Sequence, residues 1–397
     1  MASPDAPLNE IDTMKILFIW HSAADPNNRR LFESMIRRPG LDIQVLTLPR
    51  VDDRLTLWRM ARTVTRTNPG TGSRFSVVPG WATSPDSLGH HVYPGLPWRL
   101  ARFKPDVIHL VAEAATLVAF ETALLKPILS PRSRLVLHVI QNIIVDYRWP
   151  WPLLERFAFR RADAAVAYSP GAASVLKRRG FRKPMFIRPF GADEGPLARA
   201  NGKSVRRRMA RGGPVVGWAG RMFAGKGLHV LLAASARMRH PHRLLIVGDG
   251  PRRDEEKALA AKLGIADRIM WTGPVPADKM PEYYAAMDVY THPAVSRPPD
   301  MPAWKEQFAR TLVEAMLAGI PIVSTRSGEI PWVVGNGGLI VPEKNPAALA
   351  RALDRVLASR KLRTALGRRG RERAMANFTW DKAAGDLVDI WKKLATG

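Results

Sequence analysis

The chain has 397 residues, with 61 Lys and Arg against 35 Asp and Glu, a formal net charge of +26. At roughly 150 residues per domain, that length suits two domains rather than one. Apolar residues make up 46% and cysteine is absent, which excludes a mainly disordered chain, a disulfide framework, thiolate metal sites and a cysteine nucleophile.

Residues 1–13 read as a polar leader. No basic region precedes an apolar one there, so a secretory signal is not expected. The longest apolar runs, such as 114–125, are too short to span a bilayer. A soluble protein of the reducing cytoplasm is the expectation.

Residues 15–20 (KILFIW) form a short apolar, β-prone run of the kind that makes a buried parallel strand. Residues 42–48, 106–110, 134–140, 164–168 and 185–188 repeat it, with helical runs between. Residues 55–66 (LTLWRMARTVTR) and 149–161 (WPWPLLERFAFRR) mix Trp, Leu and Phe with Arg, as interfacial helices do. Core aromatics flanked by solvated arginines account for both stretches equally well.

Around 191–213 the sequence turns Gly-, Ala- and Arg-rich without apolar periodicity, which marks a linker, placed at 196–213. The strand–helix alternation then restarts at 214–218 and 242–247, each closed by a glycine turn, and continues through 268–271, 289–291, 321–324 and 338–341. Residues 347–357, 361–375 and 379–394 are helical in pattern. The resulting expectation is an α/β protein of two doubly wound, Rossmann-like domains, 14–195 and 214–378, facing a central cleft, with a C-terminal helix over 379–397.

Three features of the second half point to a phosphate-bearing ligand. In GWAGRMFAGKG (217–227) a strand ends in glycines, and Arg221 and Lys226 follow on the loop, able to neutralise a diphosphate. A glycine turn with two solvated cations is the alternative. VGDGP (247–251), with Gly248, is another strand closed by a glycine turn, and alone it is a weak signal. Finally, Glu306 and Glu314 stand eight residues apart in WKEQFARTLVEAMLAGIPIV (304–323), after a Pro-rich stretch that sets Glu306 ahead of the helix. Phe308, Ala309, Arg310 and Thr311 then supply free N–H groups at the first turn, a natural anion site. Two solvated helix carboxylates remain the other reading.

Glu306-x7-Glu314, the following AMLAGIP and SGEIP (327–331), with the Arg221/Lys226 pair and VGDG, resemble retaining glycosyltransferases of family 4, which have the GT-B fold. The resemblance covers nearly the whole chain and is strongest over 214–380. It implies a retaining enzyme that moves a hexose from a nucleotide-diphosphate sugar to a glycan or lipid-linked saccharide. Arg221 and Lys226 would bind the donor diphosphate beside Gly220 and Gly248, Glu306 the sugar hydroxyls and Glu314 the ribose. The turn at 273–276, with Val275, is similar to the family's nucleobase-contacting loop, and the last helix would cross back onto the first domain. Glu306, Arg221 and Lys226 would carry the catalysis, by positioning and by stabilising the leaving diphosphate, with no side-chain base.

Two departures stand out: Phe308-Ala309 where the family often has Phe-Gly, and Gln141-Asn142 where it usually carries a His. Glu113, Gln141 and Asn142 are the acceptor-side candidates. No Asp-x-Asp occurs and the histidines, His90 and His91 included, lack metal-ligand partners, so neither metal nor other cofactor is expected. A GT-B epimerase or phosphorylase, and a non-catalytic basic protein binding nucleic acid or an anionic surface, are the alternatives. The basic clusters at 177–183, 203–211 and 360–373 suit a solvated face, or docking on the inner face of the cytoplasmic membrane, better than nucleic acid.

Overall fold

A computed structural model describes residues 13–51, 59–60, 63–84, 89–209 and 212–395. Most of the expected leader, 1–12, lies outside the described residues. The first domain carries β1 (Met14–Ile19), β2 (Leu41–Thr47), a two-stranded ribbon of β3 (Arg50–Val51) and β4 (Arg59–Met60), then β5 (Val64–Asn68), β6 (Ser73–Pro79), β7 (Val107–Val111), β8 (Arg134–Val139), β9 (Ala164–Ala167) and β10 (Met185–Ile187). Its main sheet runs β10-β9-β8-β7-β1-β2-β6-β5 and is parallel except for the β5–β6 pair. The second domain carries β11 (Val215–Ala219), β12 (Arg243–Val247), β13 (Ile269–Trp271), β14 (Val289–His292), β15 (Ile322–Thr325) and β16 (Gly338–Val341), in the order β13-β12-β11-β14-β15-β16.

Strands such as β7, β9, β11 and β12 are buried along their whole length, so their apolar runs cannot alternate and read as continuous. In each sheet the strand order reverses at the first strand, between β1 and β7 and between β11 and β14. Such switch points open a crevice at the C-terminal strand ends, where ligands bind in doubly wound folds.

Two sequence expectations need correction. Within 55–66 the described residues are not helical: Val64–Asn68 is an edge strand paired antiparallel with Ser73–Pro79, and the rest lies largely outside the described residues. Thr65, Thr67 and Val64 are β-branched, and Pro69, Gly70 and Gly72 supply the turn, so hairpin chemistry overrides the amphipathic pattern. The expected linker holds two short helices, Glu194–Arg199 and Lys203–Arg207. Asp193 caps the first, and Leu197 and Val205 are buried, so even this Arg-rich stretch anchors itself by single apolar residues.

The chain passes between the domains twice, at Ala192 and Thr379, and the passages bond to each other. Ala192 N donates to Phe378 O at 2.9 Å and Trp380 N to Ala192 O at 3.1 Å. A Cβ on Gly191 would lie 2.3 Å from the backbone of Thr379, so glycine is what permits this approach. Beyond it, the helix Trp380–Ala395 packs on Arg30–Met35 of the first domain. Its Trp391 Nε1 donates to His109 Nδ1 at 3.1 Å. His109 must therefore carry its proton on Nε2, which donates to His138 Nδ1 at 3.0 Å. Burial lowers the pKa of both histidines, so the two imidazoles are neutral.

Candidate active site

Three loops at the C-terminal edge of the second sheet are laced together by glycines. Gly220 N donates to Val247 O at 3.0 Å, and Gly248 N to Gly273 O at 2.9 Å. A Cβ on Gly248, at φ +120°, would come within 2.0 Å of Gly220 O. Arg221 leaves this knot exposed and forms no ion pair among the described residues. Five residues on, Gly227 sits at φ +67°, where a Cβ would fall 1.8 Å from Pro293 O. That approach presses the 224–226 turn onto the loop after β14 and delivers Lys226 to Glu306, Nζ to Oε2 at 2.7 Å.

Glu306 is the centre of the site and is 4% exposed. Its Oε2 also accepts from His292 Nε2 at 2.8 Å, while Oε1 accepts from the Ala309 N–H at 3.2 Å. Burial alone would raise its pKa, but the Lys226 charge and the His292 bond outweigh that and hold the carboxyl well below the usual range. Burial lowers the pKa of His292, which donates from the neutral ring, and its Nδ1 is left without a partner among the described residues.

Glu306 precedes the helix Arg310–Leu317, whose first-turn N–H groups have no partner within the helix. Ala309, ahead of that turn, stands at φ +53°, a left-handed conformation that costs an L-residue about 1–2 kcal/mol. The departure from Phe-Gly thus falls on a backbone position suited to glycine. Phe308 turns inward against Tyr168 of the first domain, ring centroids 5.3 Å apart. Arg310 reaches the other way across the cleft: its Nη2 donates to Asn28 Oδ1 at 3.0 Å, and the guanidinium lies over Trp380.

Glu314 accepts from Tyr284 Oη at 2.7 Å, and burial raises its pKa. With Arg310, Asn27, Met280 and Trp380 it lines a cavity of roughly 270 Å³ between the domains. Ala277, Asp278, Met280 and Pro281 border that cavity, whereas Val275 does not and packs against the core instead. Thr311 is half-buried in the first helical turn.

On the facing side, Glu113 follows β7 and accepts from the N–H groups of Ile140 (3.1 Å) and Gln141 (2.9 Å). Burial pushes its pKa up to about 7 in spite of these bonds. Gln141 Oε1 accepts from Tyr147 Oη, and Asn142 Nδ2 donates to the Glu306 carbonyl at 2.9 Å. Asn142 therefore touches the Glu306 segment directly, with Glu113 one step behind as holder of its loop. His138, bound to His109, is engaged in the interior.

Sequence reasoning passed over His292 and Glu329. His292 ends β14, beside the switch point, so its place in the topology was the available signal. Glu329 accepts from Gly171 N (3.3 Å) and lies 3.4 Å from Asn142 Nδ2, both of the first domain. No spacing announces such a pairing.

Two facing Rossmann-like domains with this switch-point cluster define a GT-B protein, and solved structures agree. Sucrose-phosphate synthase from Thermosynechococcus elongatus superposes with a TM-score of 0.73 at 19% identity, over 96% of this chain and 99% of that one. Anabaena HepE in complex with UDP gives 0.70 at 18%, over 96% and 100%. Residues 205–373, which span most of the second domain, match the family described as Glycosyl transferases group 1. The chain is 32% identical over 244 residues to 2-deoxystreptamine glucosyltransferase of Streptomyces kanamyceticus, covering 58% of this chain and 61% of that one. It is 31% identical over 239 residues to the GDP-mannose-dependent alpha-(1-6)-phosphatidylinositol monomannoside mannosyltransferase of Mycobacterium tuberculosis, covering 59% of each. The chain thus spans about three fifths of the length of the curated relatives it matches.

Two predictions follow from the local geometry. Ala309→Gly relieves the left-handed strain and adds unfolded-state entropy, for a net gain of about 0.5–1 kcal/mol in chemical denaturation. Glu113, with a raised folded pKa, contributes stability that is complete below the unfolded value of 4.5 and is lost as pH rises through about 7. Glu113→Gln should therefore show a smaller fall in melting temperature over that window than the parent chain.

Proposed function

We propose that the chain is a retaining glycosyltransferase that moves a hexose from a nucleotide-diphosphate sugar to a glycan or lipid-linked saccharide without a metal ion. The observation that carries this reading is Glu306: an ionised, buried carboxylate at the head of a helix, with Lys226 against it. A carboxylate so placed is suited to hydroxyl groups of a sugar, while Lys226, Arg221 and the first-turn N–H groups suit the adjoining diphosphate. Glu314 and the 277–281 loop take the ribose and base in the cavity they line.

In the transfer, the C1–oxygen bond to the diphosphate breaks as the acceptor oxygen bonds to C1 on the same face. The acceptor proton passes to the departing phosphate oxygen, so no side-chain base is needed. Cations and helix dipole stabilise the charge that develops on the leaving group.

The acceptor side carries a feature that suits a membrane-borne substrate. Trp98, Trp149 and Leu153 are 62%, 81% and 53% exposed, on or beside the helices Leu96–Phe103 and Trp151–Arg161, with Arg102, Arg156 and Arg160 exposed among them. Aromatic and basic side chains of this kind insert at the headgroup level of anionic bilayers. No helix among the described residues is long and apolar enough to cross a membrane.

Melting curves with UDP, GDP, ADP and their sugar conjugates test the donor assignment. The matching nucleotide at 100 times its Kd should add about 2.7 kcal/mol. Glu306→Gln should keep the fold while transfer falls by at least about 100-fold, with EDTA leaving the parent rate unchanged. Full transfer in that variant, or no nucleotide shift, overturns the reading. For the surface, phosphatidylglycerol vesicles should sediment the parent chain and release the Trp98→Ser, Trp149→Ser double variant; equal sedimentation removes the docking role.

A further inference from the structure

A second interdomain cavity, of roughly 790 Å³, has no part in the donor site described above. It abuts the Glu306 segment: Lys305, Gly328 and Asn142 border it, Asn142 Nδ2 donates to Glu306 O, and a Cβ on Gly328 would fall 2.0 Å from that same oxygen. The donor cavity, with Arg310 and Glu314, borders the other end of this stretch of chain.

The charge around the second cavity is unbalanced. Arg178, Arg297, Lys305 and Arg326 line it against Glu329 and Glu343. Glu329 accepts from Gly171 N and feels the Lys305 charge, and Glu343 accepts from the Ser296 N–H and hydroxyl, which leaves the three arginines in excess. Among the described residues, the side chains of Arg297, Lys305 and Arg326 make no hydrogen bond or ion pair, and Arg178 bonds only the Ser174 hydroxyl. Cations gathered about one hollow repel each other, an arrangement that an anionic ligand relieves.

Two further details point to a ligand that is also a saccharide. Asn142 is 9% exposed, and its Oδ1 is buried without a partner among the described residues, a vacant acceptor suited to a hydroxyl group. Arg297 stands at φ +51°, a left-handed position disfavoured for an L-residue, and such strain collects at ligand-binding walls.

We propose that this cavity receives the phosphate of a phosphorylated acceptor saccharide, with the arginine forks and Lys305 on the phosphate and Asn142 Oδ1 on a sugar hydroxyl. Planar guanidinium groups match phosphate oxygens in pairs. The proposal rests on the glycosyltransferase reading and names the acceptor's chemical class.

Calorimetric titration of the full chain, saturated with whichever nucleotide shifts its melting curve, tests it. The probes are glucose 6-phosphate, glucose, inorganic phosphate, and polyprenyl-phosphoglucose in phosphatidylcholine vesicles. The comparison variant is Arg297→Asn with Arg326→Ser, two exposed and unpaired positions, with asparagine chosen because it tolerates the left-handed backbone. Glucose 6-phosphate or the polyprenyl-linked sugar should bind at least 10-fold more tightly than glucose or inorganic phosphate. The variant should lose at least 10-fold of that affinity while keeping the nucleotide shift. Whichever of the two sugar phosphates binds better identifies a free or a lipid-linked acceptor. Equal affinity for glucose, equal affinity for inorganic phosphate, or an unchanged variant overturns the proposal while the donor reading stands. Absence of any nucleotide shift in the parent chain is instead the failure of that underlying reading.

Discussion

The site depends on keeping one buried carboxylate charged. Removing a carboxylate from water is costly by several kcal/mol unless partners replace the lost hydration. Glu306 finds three, and each comes from a different part of the second domain. Lys226 arrives on the loop after β11, His292 at the end of β14, and the Ala309 N–H at the entry to the following helix. The glycines at 227 and 328 then read as consequences, because each lets a backbone come close enough for these partners to meet. Even the left-handed turn at Ala309 aims an N–H group back at the carboxylate.

A site of this kind is shared between two folds. The second domain supplies cations and a helix terminus, and the first supplies Asn142, Gly171 and Asn28, each bonded across the boundary. Tyr168 against Phe308 makes the same boundary apolar in one place. Polar contacts alone would leave the two halves weakly associated. Their mixture with packed rings holds the cleft closed around the Glu306 segment while leaving hollows on either side.

Most of the architecture was legible because parallel strands buried on both faces are unbroken apolar runs, as β7 and β11 are. The spacing of Glu306 and Glu314 alone fits two solvated helix carboxylates equally well, and only the family resemblance singled the pair out, whereas the prolines before it placed the helix entry. The β5–β6 hairpin was obscured by Arg and Trp residues that mimic an amphipathic helix, although Thr65, Thr67 and the Pro-Gly turn were the better guide. His292 and Glu329 were illegible for another reason. Each matters through a partner far along the chain, and an isolated His-Pro or Gly-Glu says nothing of what it will meet. The strain at Ala309 is likewise a property of φ, which a one-letter difference does not reveal.

The paired chain crossings at Ala192 and Thr379 bear on how such a cleft can move. A single covalent tether would allow the halves to swing and twist freely. Here two strands lie side by side, joined through Ala192 to Phe378 and Trp380, with the last helix clasped to the first domain by Trp391. Shear or twist would tear those bonds, whereas rotation about the line they define would not. The molecule is built like a book with a stitched spine: its pages part along one axis, and whatever leaves must leave at the fore-edge.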